Sequence, residues 1–249
     1  IRILIPTPVF PEKKSIRINF INQILMELNK TVNVELIWLV FLPDKFNSYY
    51  FKEGKVSSIH DFCDGIDTLK KIQPDCVLVG SHFEPIQYSL SLAAKKLKIP
   101  LCSFFYSQYK TENSDNRGKI NQLSKYFKII SSKNMPSDIG NESKFLRRFK
   151  FIFYKFSFLK TTQKTLKIHQ PPSLIFFIKN LVNYIFWKKI PINILPDLFL
   201  LPHSSWIEPL LKQGIKKEKL SVTGNPIWDR FVLKSIPDKN RNKDSKINI

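Results

Sequence analysis

Residues 73–106, QPDCVLVGSHFEPIQYSLSLAAKKLKIPLCSFFY, hold two short apolar runs on either side of a helical stretch. Cys76 to Val79 is a strand of apolar residues that Gly80 ends. Glu84 and Pro85 suit a helix start, Pro because the first turn has no use for its missing N–H. Ile86, Leu90, Ala93, Ala94 and Leu97 then recur on one helical face. After Ile99-Pro100 a second strand is predicted over Leu101 to Tyr106. Continuous apolar strands, as opposed to alternating ones, belong in a sheet covered on both faces, hence a parallel sheet. Its connections are right-handed, and ligands gather at the carboxyl ends of its strands.

The same grammar extends outward. Towards the amino end, Ile3 to Ile5 is a short strand stopped by Pro6 and Pro8. Ser15 to Lys30 has helical spacing, Val34 to Leu42 is a near-continuous apolar strand, Lys55 to Ile59 a minor strand, and Asp61 to Ile72 a helix. Residues 107–118 are polar and turn-rich, and Ile120 to Phe127 fits a helix. Towards the carboxyl end, Asp197 to Leu201 is a strand and Trp206 to Gln213 a short helix. Gly214 stands where a left-handed cap is wanted. Leu220 to Thr223 is a strand, Gly224-Asn225-Pro226 a turn, and Ile227 to Leu233 the start of a helix. The expected class is α/β: a Rossmann-like parallel sheet flanked by helices. Residues 1–236 form one domain, and 237–249 are a charged linker with the opening of a further strand at Ile247. The chain opens on Ile1, directly in a strand, as expected of a trimmed start.

Composition narrows the partners. The chain has 249 residues, with 40 Lys and Arg against 20 Asp and Glu, a formal charge of +20. Such a surface favours anionic partners. Lys, Asn, Ile and Phe are residues of A+T-rich codons, so compositional drift is an alternative source of the excess outside residues 141–190. Within 141–190 stand eleven basic residues and one acid, Glu142, interleaved with aromatics. Three readings are open for this segment. Arg147, Arg148, Lys150, Phe151, Phe153, Lys155, Phe176, Phe177, Trp187 and Lys188 can lie on an anionic membrane, with rings in the interface and cations on headgroups. The same mix can clamp single-stranded nucleic acid, although no nucleic-acid-binding signature accompanies it. Or the segment is a pair of ordinary helices with a solvated basic face. No apolar run reaches the ~20 residues that span a bilayer. Cys63, Cys76 and Cys102 form no Cys-x-x-Cys pair, and no metal site is expected; they read as free thiols in a reducing compartment.

Leu220 to Asp229, LSVTGNPIWD, is the most specific run. A glycine lets the backbone approach closely at the end of the strand, and a helix start behind it attracts an anion. Taken with Gly214-Ile215 before it, the stretch Leu195 to Phe231 resembles the end of the amino-terminal domain in GT-B-fold sugar-nucleotide enzymes, among them glycosyltransferases and UDP-N-acetylglucosamine 2-epimerases. Gln73 to Pro100 resembles that domain's earlier β-α-β unit. Residues 130–190 lie outside the likeness and read as a basic-aromatic helical insertion.

The resemblance implies the acceptor-side half of a two-domain enzyme. It would move a sugar from a nucleotide-sugar donor to a hydroxyl acceptor, lipid-linked or part of an envelope glycan, in the cytoplasm or at the inner face of the plasma membrane. The chain stops where the donor domain would begin, so alone it is expected to be inactive. No cofactor is implied, and the nucleotide sugar is a substrate. His82 and Glu84 are the candidate catalytic bases, the alternative role of Glu84 being a helix cap. Thr7, Ser81, Ser107, Gln108, His203, Ser204, Gly224, Asn225 and Asp229 are the candidate substrate-binding residues, all at strand ends or turns. Two rival functions remain: an epimerase, whose turn acids are replaced here by Gly80-Ser-His-Phe-Glu84 and Tyr106-Ser-Gln-Tyr-Lys110, and a non-catalytic domain that binds membrane or nucleic acid.

Overall fold

A computed structural model describes residues 1–7, 30–41, 54–80, 84–104, 144–168, 173–187 and 190–224. Seven strands form one parallel sheet: β1 (Arg2–Thr7), β2 (Glu35–Val40), β3 (Lys55–Ser58), β4 (Cys76–Val79), β5 (Leu101–Phe104), β6 (Leu198–Leu201) and β7 (Leu220–Val222). Their order is β3-β2-β1-β4-β5-β6-β7, with every neighbouring pair parallel. Five α-helices accompany them among the described residues: α1 (Gly65–Ile72), α2 (Pro85–Leu97), α3 (Lys144–Thr165), α4 (Ser173–Trp187) and α5 (Ile207–Lys212). The expected α/β class is therefore observed. Its strands fall within a residue or two of the predicted spans, and the predicted Asp61–Ile72 helix resolves into a 3-10 turn, Ile59–Asp61, followed by α1. The helices predicted over 15–30, 120–127 and 227–233, and the closing strand at 247, lie outside the described residues.

Both faces of the sheet are buried along β1, β2 and β5, which is why those strands are apolar without alternation, whereas burial alternates along β4 and β6. Leu4, Ile37, Leu39, Val77, Val79 and Leu101 share one face and pack against Ile66 and Leu69 of α1, Ile86 and Leu90 of α2, and Phe151 and Phe158 of α3. Ile5, Leu36, Trp38, Val40 and Phe104 are buried together on the other face. A close approach joins α1 to α2: a Cβ on Gly65 would stand 2.9 Å from the Ser89 carbonyl oxygen. The half-buried Cys76 and Cys102, on the neighbouring strands β4 and β5, have Sγ atoms 3.5 Å apart and are free thiols.

The basic segment is part of this architecture. Helix α3 turns Phe151, Lys155, Phe158, Leu159 and Thr162 inward, at intervals of three and four residues, against α2 and α1. Helix α4 docks on α2 and α3 through Phe177 and Leu181, with the Phe177 ring edge-on to Phe156 at 5.3 Å and to Tyr88 at 5.9 Å. This corrects three of the expected membrane-facing residues. Phe151 is 6%, Phe177 1% and Lys155 0% exposed, because the helical period carries them to the core side. Phe153 and Lys150 do face outward. The side chains of Arg147, Arg148, Phe176 and Trp187, and residue Lys188, lie outside the described residues. No described helix is long and apolar enough to cross a membrane.

Candidate functional site

Strand order locates the site. The chain moves from β1 to β2 in one direction across the sheet, then from β4 to β7 in the other, so the reversal falls between β1 and β4. In open parallel sheets such a reversal, at the carboxyl ends of the two strands, is where ligands bind. Thr7 is the last residue of β1 and Gly80 the first after β4.

Thr7 is 4% exposed, and its Oγ1 is buried without a hydrogen-bond partner among the described residues. Buried hydroxyls are nearly always paired, because an unpaired one forfeits its water at a cost of about 1–3 kcal/mol. The unpaired hydroxyl stands at the carboxyl end of β1. Across the crevice, the Gly80 N–H donates to Gln87 Oε1 at 2.8 Å, tying the end of β4 to the first turn of α2. Gln87 is the positioning residue that the sequence reading missed, since a glutamine one turn into a helix carries no pattern of its own.

Glu84 holds a different office from the predicted one. It is 0% exposed and caps α2: its Oε2 accepts from the N–H groups of Ile86 and Gln87, both at 3.0 Å. Its Oε1 stands 2.9 Å from Lys155 Nζ, also 0% exposed. The ammonium lies 4.5 Å from the centre of the Phe151 ring and 5.8 Å from that of Phe41, at the end of β2. A carboxylate sealed from solvent, with one oxygen capping a helix and the other beside a buried ammonium, has no open path to a substrate hydroxyl. The assignment of Glu84 as a catalytic base is therefore replaced by the cap. His82, the other candidate, lies outside the described residues, as do Ser81, Ser107, Gln108, Asn225 and Asp229.

Burial sets the charge state of Lys155. Desolvation holds its ammonium below the ordinary 10.5, with the charge and the hydrogen bond of Glu84 pulling the other way. The unfolded chain then binds more protons than the folded one between the depressed value and 10.5. Stability contributed by this group is therefore greatest above 10.5 and is lost as the pH falls through the folded value. Urea unfolding of the wild type and of Lys155→Met, followed from neutral pH to about 10.5, is expected to show their stability difference moving in favour of the wild type as pH rises. A constant difference would remove Lys155 from the titration.

The remaining carboxyl ends are more open. His203 and Ser204, after β6, are exposed. The His203 Nδ1 accepts from the Ser205 N–H at 3.1 Å and caps the 3-10 turn Ser204–Trp206, so one ring nitrogen is engaged and the other is left for a ligand. After β7, the Thr223 N–H and hydroxyl both donate to the Leu201 carbonyl, at 2.9 and 3.3 Å. Gly224 takes φ +79°, a left-handed conformation that glycine adopts without strain, and among the described residues nothing lies within 4 Å of where its Cβ would be. Gly214, at φ +81°, ends the α5 connection in the same way. No group of three metal-ligating side chains occurs among the described residues. The hollow lined by Ile190, Ile192, Leu195, Gln213, Gly214 and Ile215 lies at the opposite, amino-terminal edge of the sheet, where α5 ends and β6 begins.

Comparison with family models, curated proteins and solved structures finds no match.

Proposed function

We propose that the chain is the acceptor-binding half of a glycosyltransferase that moves a sugar from a nucleotide-sugar donor to a hydroxyl acceptor. The observation that supports this reading is where Leu220 to Gly224 of the LSVTGNP run fall in the sheet. Its strand is β7 of the same parallel sheet as Thr7, and its glycine makes a left-handed turn at the carboxyl edge. Strand, Gly214 turn, strand and Gly224 turn follow one another in the order that the resemblance implies. The edge offers what a polyhydroxyl ligand needs: the unpartnered Thr7 hydroxyl, the exposed His203 and Ser204, and an open backbone at Gly224. With Glu84 committed to Lys155, His82 is the remaining one of the two candidate proton acceptors.

Thr7→Val tests the reading. The valine keeps the shape and removes an unpaired polar atom, so stability to urea is expected to hold or to rise by about 1 kcal/mol. Binding of hexosides and nucleotide sugars, read by saturation-transfer NMR, is expected to weaken about tenfold, the worth of one lost hydrogen bond. A chain that gives no signal with any saccharide or nucleotide sugar, or a valine variant that binds as well as the wild type, would overturn the proposal.

A further inference from the structure

Helix α3 has two unlike sides. Opposite the buried stripe, Phe149 is 59% and Phe153 68% exposed, and Lys160 is exposed on the same side at the helical interval. On α4, which packs against α3 through Phe177 and Phe156, Ile175 is 58% and Ile178 40% exposed beside the exposed Lys179. No acidic residue occurs anywhere from 143 to 196. Four large apolar side chains in water, on helices that carry lysines and no acidic residue of their own, describe half of an interface.

We propose that the outward side of the α3–α4 pair docks on an anionic lipid surface. This rests on the exposed side chains alone and stands apart from the glycosyltransferase reading. The chemistry chooses the occupant. The net charge of +20 opposes a second copy of this chain. Single-stranded nucleic acid would answer the lysines and stack on the phenylalanines, but the branched aliphatic chains of Ile175 and Ile178 have no flat face for a base. Acyl chains accept phenylalanine and isoleucine alike, while phosphate headgroups take the lysines. The helices would lie in the plane of the interface, since neither can cross it.

Co-sedimentation with vesicles of phosphatidylcholine, with and without phosphatidylglycerol, tests this at low and high salt. The wild type is expected to bind the anionic vesicles, to release them in high salt, and to ignore pure phosphatidylcholine. The pair Lys160→Glu/Lys179→Glu is expected to weaken binding about tenfold or more, at roughly fivefold per lysine lost. The pair Phe149→Ser/Phe153→Ser keeps the full charge and is expected to abolish binding. Circular dichroism and unfolding of both pairs should match the wild type, because all four positions are exposed. Three results would each overturn the proposal: no binding to anionic vesicles, undiminished binding by the serine pair, or binding to a single-stranded oligonucleotide by a chain that leaves the vesicles alone.

Discussion

Glu84→Gln is expected to destabilise the protein by about 3–5 kcal/mol, because it strips the facing carboxylate from an ammonium that has no water to turn to. Glutamine keeps the size of the side chain and an oxygen to cap α2, so the loss isolates the charge. Lys155→Met/Glu84→Gln should return to within about 1 kcal/mol of the wild type or exceed it, since replacing both members of a buried pair removes two desolvation costs along with one attraction. Urea unfolding of the three proteins measures both values. Equal stabilities for the single and double variants would show that the ammonium left without its carboxylate costs nothing, and would overturn this expectation. The pair joins the helix behind β4 to a helix from the basic segment, so its loss should also loosen the first turn of α2, where Gln87 holds Gly80.

Phe177→Ala is expected to cost about 3–5 kcal/mol. The ring is 1% exposed and meets Tyr88 and Phe156 edge-on, so truncation leaves a cavity between three helices with little backbone free to collapse into it. Phe153→Ala, from a 68% exposed position on α3, is expected to stay within about 0.5 kcal/mol of the wild type. Two phenylalanines of the same basic segment thus answer opposite questions, one about the fold and one about the outer surface. Similar losses at both would mean that the outward side of α3 is covered.

The sheet was legible because its signals are local. Each of Cys76–Val79, Leu101–Phe104 and Leu220–Val222 is a short, mostly apolar run with Gly or Pro within two residues of one end, a signal that does not depend on where the strand sits. The inward side of α3 was not legible. Phe149 and Phe153 are as apolar as Phe151 and Phe158, so a helix with phenylalanine nearly all round has no unique side to bury, and packing against α1 and α2 makes the choice. Lys155 was misread for the same reason, as a cation taken for surface where the helical interval places it in the core. The role of Glu84 as a cap was written in its position before Pro85, whereas its partner comes from a distant helix and left no trace nearby. Left-handed caps at Gln73 and Lys98, at φ 52° and 58°, escaped notice because neither residue is the glycine that usually marks such an end.

The hydrogen bond from the Gly65 N–H to Thr162 Oγ1 spans 97 positions, and Thr165 donates to Asp64 across 101. On the ribosome, five strands and two helices of the sheet therefore exist before the helix that covers them has been made. At about 5–20 residues per second, the nascent chain waits several seconds with that apolar face uncovered. Any product ending between residues 104 and 165 is expected to aggregate, even though most of its sheet is already encoded.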